Sequence, residues 1–209
     1  MKPDGRIGIL ISGRGSNMLS ILRAAEERRI PAVVAIVISN EPDALGIVAA
    51  RSRGVEAIVL DHRAAGSREE HDRRIVAALE ERRVDLVCLA GYMRLLSPVL
   101  LRAYAGRILN VHPALLPAFP GLDVQRQALE HGVRFTGATV HFVDAGVDTG
   151  PIVLQAVVPV EPEDTPETLS ERILKEEHRI YPEAVRLFFQ DRLRLEGRKV
   201  RILPPAPSA

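Results

Sequence analysis

Two side chains near the middle of the chain, Asn110 and His112, have the types and spacing to act on a carbonyl. They stand two positions apart in the apolar run Ile108 to Val111 and its continuation, so on a strand both leave the same face at its carboxyl end. An amide donor beside an imidazole suits acyl transfer, in which a carbonyl oxygen becomes negative: the amide hydrogen-bonds the oxyanion, and a protonated imidazole stabilises it or donates a proton. A satisfied structural histidine is the competing reading of His112 taken alone. Asp148, in the loop Asp144 to Gly150, is a carboxylate that could lie against that imidazole and favour its charged form, or an aspartate capping its own turn. His141 and Glu177 are open to the same two kinds of reading.

A second constellation is Ser12, Gly13, Arg14, Gly15, Ser16 and Asn17, between an apolar run and a helical stretch. Amides at the start of a helix that follows a strand form an anion site, with glycines admitting close backbone approach. Ser16 or Asn17 is expected to cap the helix. Met18 stands where a dinucleotide fingerprint needs its third glycine, and no Gly-Lys-Ser/Thr follows, so a compact monophosphate fits better than a dinucleotide or ATP. A capped tight turn with no ligand is the alternative.

The elements that must position these residues follow from pattern. Runs at Arg6 to Ile11, Val33 to Ser39, Val55 to Leu60, Val84 to Ala90, Ile108 to Val111 and Ala138 to Val143 read as buried strands. Helical periodicity occupies Met18 to Arg28, Ala44 to Arg53, Glu69 to Arg83 and Leu122 to Glu130, and Pro166 to Phe189 reads as a long helix interrupted by Pro182. The alternation predicts an α/β fold: one doubly wound, mainly parallel sheet flanked by helices. At 209 residues a single domain, 1–209, is expected, with a disordered tail at 204–209.

Composition excludes other classes. Lys plus Arg number 28 against 27 Asp plus Glu, a net charge of +1, which provides no field for nucleic acid. The 4% aromatic content offers no base-stacking platform. One cysteine, Cys88, excludes an internal disulfide or a cysteine-based zinc cluster and reads as buried. With neither a signal-peptide pattern nor a spanning segment, a cytoplasmic protein without membrane partners is expected; monomer and homodimer both stay open.

Taken together, the Ser12 to Asn17 turn, Met93 to Leu96, Asn110 to Pro117 (Asn-Val-His-Pro-Ala-Leu-Leu-Pro) and Asp144 to Gly150 resemble the folate-dependent phosphoribosylglycinamide formyltransferases. The resemblance runs from about Arg6 to Arg192 in unbroken order. It implies a half at roughly 1–105 that binds the ribonucleotide and a half at 106–195 that binds folate. It implies phosphate contacts from Gly13, Gly15, Ser16 and Asn17, beside which Arg14 could add charge to the site, and an amine contact from Glu177. Folate contacts are implied for Arg68, Met93, Arg94, Leu95, Leu96, Asn110, His141, Asp144, Val147 and Asp148, and catalysis for Asn110, His112 and Asp148. The implied cosubstrate is 10-formyltetrahydrofolate and the implied acceptor glycinamide ribonucleotide. No metal is expected, since hydrogen bonds and a protein cation activate the electrophile.

Ala114 and Ala118 depart from Ser and Lys found in relatives, and Arg14 from Asn in some. Methionyl-tRNA formyltransferase shares the Asn-x-His-Pro segment, but it continues into Arg-Gly and a tRNA-binding domain, where Phe119 to Leu122 stands here. A formyltetrahydrofolate hydrolase is expected to carry an extra N-terminal domain, and a non-enzymatic nucleotide-binding domain leaves Asn110, His112 and the Asp144 loop unexplained.

Overall fold

The computed structural model describes residues 5–205; of the tail expected at 204–209, positions 206–209 lie outside the described residues, and 204–205 carry no regular structure. Two compact units divide the chain, Met1–Asn110 and Val111–Ala209.

In the first unit the apolar runs become β1 (Gly5–Ile11), β2 (Ala32–Ser39), β3 (Ala57–Val59), β4 (Leu86–Leu89) and β5 (Ile108–His112), whose last two residues open the second unit. Between them lie α1 (Ser16–Glu26), α2 (Leu45–Arg51), α3 (Arg68–Glu81) and α4 (Pro98–Ala103). The strand order is β3-β2-β1-β4-β5, with every pairing parallel. From β1 the chain winds outward to β2 and β3, then returns to the other side of β1 to lay down β4 and β5. The direction of winding reverses between β1 and β4, and such a switch leaves a crevice beyond the carboxyl ends of the two strands. Ile7, Ile9, Leu10, Ile11, Ile36, Val37, Ile38, Leu86, Val87 and Cys88 are buried, as an interior sheet between two layers of helix requires.

In the second unit α5 (Val124–Glu130), β6 (Phe135–Phe142), β7 (Ile152–Pro159), α6 (Pro166–Phe189), β8 (Leu193–Glu196) and β9 (Lys199–Ile202) follow. The order is β6-β7-β9-β8; β6 with β7 and β8 with β9 are antiparallel, while β7 meets β9 in parallel at Ile152 and Lys199. The fold is thus α/β and mainly parallel, with the antiparallel pairs β6–β7 and β8–β9 in this unit.

Four elements depart from the sequence pattern. α4, β7, β8 and β9 occupy stretches where no helix or strand is expected. The predicted interruption at Pro182 is absent, and α6 runs unbroken through it. Tyr181 and Pro182 are buried there, so packing outweighs the missing amide hydrogen bond. The helix is also well started: Pro166 sits in its first turn, and Thr165 and Thr168 cap it reciprocally. No described helix is long and apolar enough to cross a membrane.

Candidate active site

β5 carries Asn110, half-buried, and His112, 4% exposed, on alternate positions of one face. The His112 ring is held at both nitrogens. Nδ1 lies 3.3 Å from Asp148 Oδ2, and Nε2 lies 2.8 Å from the carbonyl oxygen of Phe119. Both neighbours accept and neither donates, so only the doubly protonated ring can donate to both.

Asp148 is the hub of the second unit's site. Its Oδ1 faces His141 Nε2 at 3.6 Å, and its Oδ2 also accepts the Gly121 N–H at 2.9 Å. His141, 2% exposed, meets the Phe142 carbonyl through Nδ1 at 2.8 Å, so its two nitrogens likewise face acceptors. Burial acts to raise the Asp148 pKa, but the His141 and Gly121 hydrogen bonds and the charge of His112 outweigh it and hold the carboxyl below its ordinary range. The site therefore presents an ionised carboxylate between two imidazoles.

The loop that delivers Asp148 is tightly built. Asp148 itself adopts a left-handed φ of 54°, uncommon for a residue with a side chain and sustained by surrounding contacts. Asp144 Oδ1 accepts from Gly146 N–H at 3.0 Å and from the Thr149 hydroxyl at 2.6 Å. Gly150 is required by space, since a Cβ there would stand 1.7 Å from the Phe142 carbonyl oxygen. Val147 projects from the loop, 47% exposed. The facing loop is fixed from behind: the buried Thr139 hydroxyl donates to the Ala114 carbonyl at 2.7 Å and accepts the Leu116 N–H at 3.1 Å. Ala114 is fully buried and its contribution there is this backbone carbonyl.

The glycine turn lies in the first unit, at the switch point. Gly15, with φ 74°, is the N-cap of α1, and no side chain caps the helix; the cap expected from Ser16 or Asn17 is absent because both are already inside the helix. Backbone closeness explains the glycine: a Cβ on Gly15 would meet Gly46 Cα at 3.2 Å and Met18 Cε at 3.1 Å. Gly46 in turn donates its N–H to the Gly13 carbonyl at 3.0 Å. Gly13 and Arg14 are exposed, Ser16 is half-buried and Asn17 is buried. The first-turn amides of α1 lack intrahelical acceptors, as in every helix, and carry the positive end of its dipole.

The segment after β4 is joined to this turn through Ser12. The Ser12 N–H donates to the Gly91 carbonyl at 3.0 Å, and its hydroxyl accepts the Met93 N–H at 2.9 Å while donating to Asn40 Oδ1 at 2.5 Å. The glycine turn and Met93 to Leu96 are thus brought together at the ends of β1 and β4. Met93 and Leu95 are exposed, Arg94 and Leu96 half-buried; Arg94 Nε is a buried donor with no protein acceptor. Arg68 is exposed at the first position of α3. Glu177, on α6, is 6% exposed.

Sequence reasoning missed four participants: the Ser12 hydroxyl, the Gly121 N–H and the carbonyls of Phe119 and Phe142. Three of them are backbone groups, which no residue type announces. Among the described residues no cluster of three or more His, Cys, Asp or Glu could hold a metal.

A family model described as "Formyl transferase" matches residues 5–185. The chain belongs to this family. It is 43% identical over 189 residues to phosphoribosylglycinamide formyltransferase of Escherichia coli K12, covering 90% of this chain and 89% of that protein. It is 47% identical over 182 residues to the trifunctional purine biosynthetic protein adenosine-3 of Drosophila melanogaster, covering 86% of this chain. The chain spans only 14% of that larger relative's length. Glycinamide ribonucleotide transformylase 1 of Symbiobacterium toebii superposes with a TM-score of 0.96 at 58% identity, over 98% of this chain and 96% of that one. His112 and Asp148 both lie inside the span that the family model matches, whereas β8 and β9 lie beyond it.

Proposed function

We propose that this chain transfers the formyl group of 10-formyltetrahydrofolate to the amine of glycinamide ribonucleotide, releasing formylglycinamide ribonucleotide and tetrahydrofolate in the cytoplasm as a step of de novo purine synthesis. The observation that carries the reading is the His112–Asp148–Gly121 arrangement in a chain of the formyl transferase family. Its imidazole is oriented by a carboxylate, that carboxylate is fixed by a backbone amide, and an amide side chain stands two positions back on the same strand.

In this reading the neutral amine attacks the formyl carbon, and the carbonyl π electrons move onto oxygen. Asn110 and the His112 cation stabilise that oxyanion, each such donor typically contributing about 3 kcal/mol. The tetrahedral intermediate collapses as the bond from carbon to folate N10 breaks; the proton lost by the attacking amine balances the one gained by N10. Asp148 keeps the His112 ring charged and turned, and His141 shares the carboxylate.

The Gly13 to Asn17 turn, with Arg14, receives the phosphate on backbone amides and a helix dipole. Glu177 accepts from the glycinamide amine. Met93 to Leu96, Arg68, His141, Asp144 and Val147 hold the folate, which enters as a carrier of the one-carbon unit.

The test follows loss of the formyl group from 10-formyltetrahydrofolate with and without glycinamide ribonucleotide. Turnover that requires the ribonucleotide supports the transferase. Equal turnover in its absence overturns it in favour of a hydrolase, and no turnover in either mixture removes formyl chemistry from the site.

A further inference from the structure

Between β4 and α4 the chain runs from Tyr92 to Ser97 with an open middle and two buried ends. Met93 is 69% and Leu95 58% exposed, whereas Tyr92 is 8% exposed and Ser97 fully buried. Both ends are fastened to consecutive residues of one helix. His71 Nε2 lies 3.1 Å from the Tyr92 hydroxyl, and the Asp72 carboxylate accepts the Ser97 backbone N–H at 2.6 Å. His71 and Asp72 are each 1% exposed.

Burying an imidazole, a phenol and a carboxylate costs free energy that well-packed aliphatic side chains would not incur. α3 already contributes Ile75 and Leu79 to the core, so its attachment does not depend on polar residues. Directional bonds supply what apolar packing does not: fixed anchor points. Because His71 and Asp72 are adjacent on a rigid helix, the separation of the two anchors is set by helix geometry. The Met93 N–H bond to Ser12 fixes a third point. Burial pushes the His71 pKa down and the Tyr92 pKa up, so both members of the upper anchor stay neutral near pH 7 and the bond between them persists.

We propose that His71 and Asp72 are positioning residues for the folate: they hold Tyr92 and Ser97 so that the backbone of Met93 to Leu96 is presented at the spacing a flat, hydrogen-bonding heterocycle requires. This rests on the folate role of that segment proposed above. Neither residue touches the reacting atoms, and binding geometry relaxed by even half an ångström loses affinity.

The experiment is steady-state kinetics of Asp72→Ala, Asp72→Asn, His71→Phe and the His71→Phe/Tyr92→Phe pair, varying each substrate, with thermal melts alongside. Asp72→Ala raises KM for 10-formyltetrahydrofolate about tenfold while kcat and KM for glycinamide ribonucleotide stay within about twofold. Asp72→Asn, whose amide oxygen still accepts the Ser97 N–H, returns the folate KM to within about threefold of the parent. His71→Phe strands the buried Tyr92 hydroxyl and raises the same KM about fivefold, and the double variant, with no polar atom left unpaired, restores it.

A merely structural role gives lower melting temperatures and less active enzyme with an unmoved folate KM; that result in folded Asp72→Ala overturns the proposal. Should Asp72→Ala not fold, an unmoved folate KM in His71→Phe overturns it equally. Leu95→Asp separates the two levels. No effect of that substitution on the folate KM refutes the folate role of the segment itself, whereas a raised KM there beside an unmoved Asp72→Ala refutes only the positioning.

Discussion

Replacing Asp148 with Asn removes one negative charge while keeping the side chain's shape. The charge faces His112 at 3.3 Å and His141 at 3.6 Å. With an effective dielectric of about 20, a unit pair at 3.3 Å is worth about 5 kcal/mol. The Asp148 side chain is 13% exposed, and screening through that opening leaves about 3 kcal/mol of support for a charged His112 in the transition state. At 1.36 kcal/mol per decade, kcat falls by about 10². Fold stability changes much less, because the Asn carbonyl still accepts the Gly121 N–H and its amide group can donate to a neutral His141. The assay is formyl transfer at saturating substrates, paired with a thermal melt. A kcat within tenfold of the parent, in a protein that melts normally, refutes the claim that Asp148 works by stabilising a cation at His112.

Gly150→Ala drives a methyl group into the Phe142 carbonyl, so the Asp148 loop must move; a loss of about 2 kcal/mol or more in chemical denaturation is expected, together with much reduced kcat. Gly15→Ala places a side chain at φ 74° and costs about 1–2 kcal/mol in backbone strain; KM for glycinamide ribonucleotide rises while KM for the folate does not, as initial rates will show. The Asp164 pKa is lowered, first by the Arg172 hydrogen bonds at 2.6 and 2.8 Å and against the effect of burial. Because the folded-state pKa lies below the ordinary 3.8, its stabilisation is present above about pH 4 and is lost as the pH falls further. Asp164→Asn should therefore lower the melting temperature at pH 7 and narrow the gap from the parent at pH 2.5.

How much of this was legible in the sequence depended on whether local pattern or distant pairing decides the element. β1, the glycine turn and α1 announce themselves because an apolar run, a glycine pair and helical periodicity follow one another within 22 residues of chain. α4 has a Ser97 cap and Pro98 at its start, but six residues are too few for a periodicity. β8 and β9 are four residues each and largely exposed, so they exist as strands through pairing with each other and with β7. β7 alternates only weakly and follows Gly150 and Pro151, which read as loop.

At the site, alternation along β5 was enough to place Asn110 beside His112. The Asp148 carboxylate against His112 was one of two open readings of the sequence, and its contact with His141 was not readable at all, since both depend on how the loop after β6 folds back. Ser16 and Asn17 were expected to cap a helix that Gly15 in fact begins, because the left-handed conformation of a glycine leaves no trace in side-chain chemistry.

The Ser12 hydroxyl has a consequence for the order in which ligands report on each other. It sits at the root of the glycine turn and accepts the Met93 N–H, so the two proposed ligand-contacting segments share one atom. If phosphate binding tightens the turn and thereby improves the folate surface by some factor, thermodynamic reciprocity demands that folate improve phosphate affinity by the same factor. The coupling is then one number, measurable as a change in equilibrium affinity from either end, whichever ligand binds first.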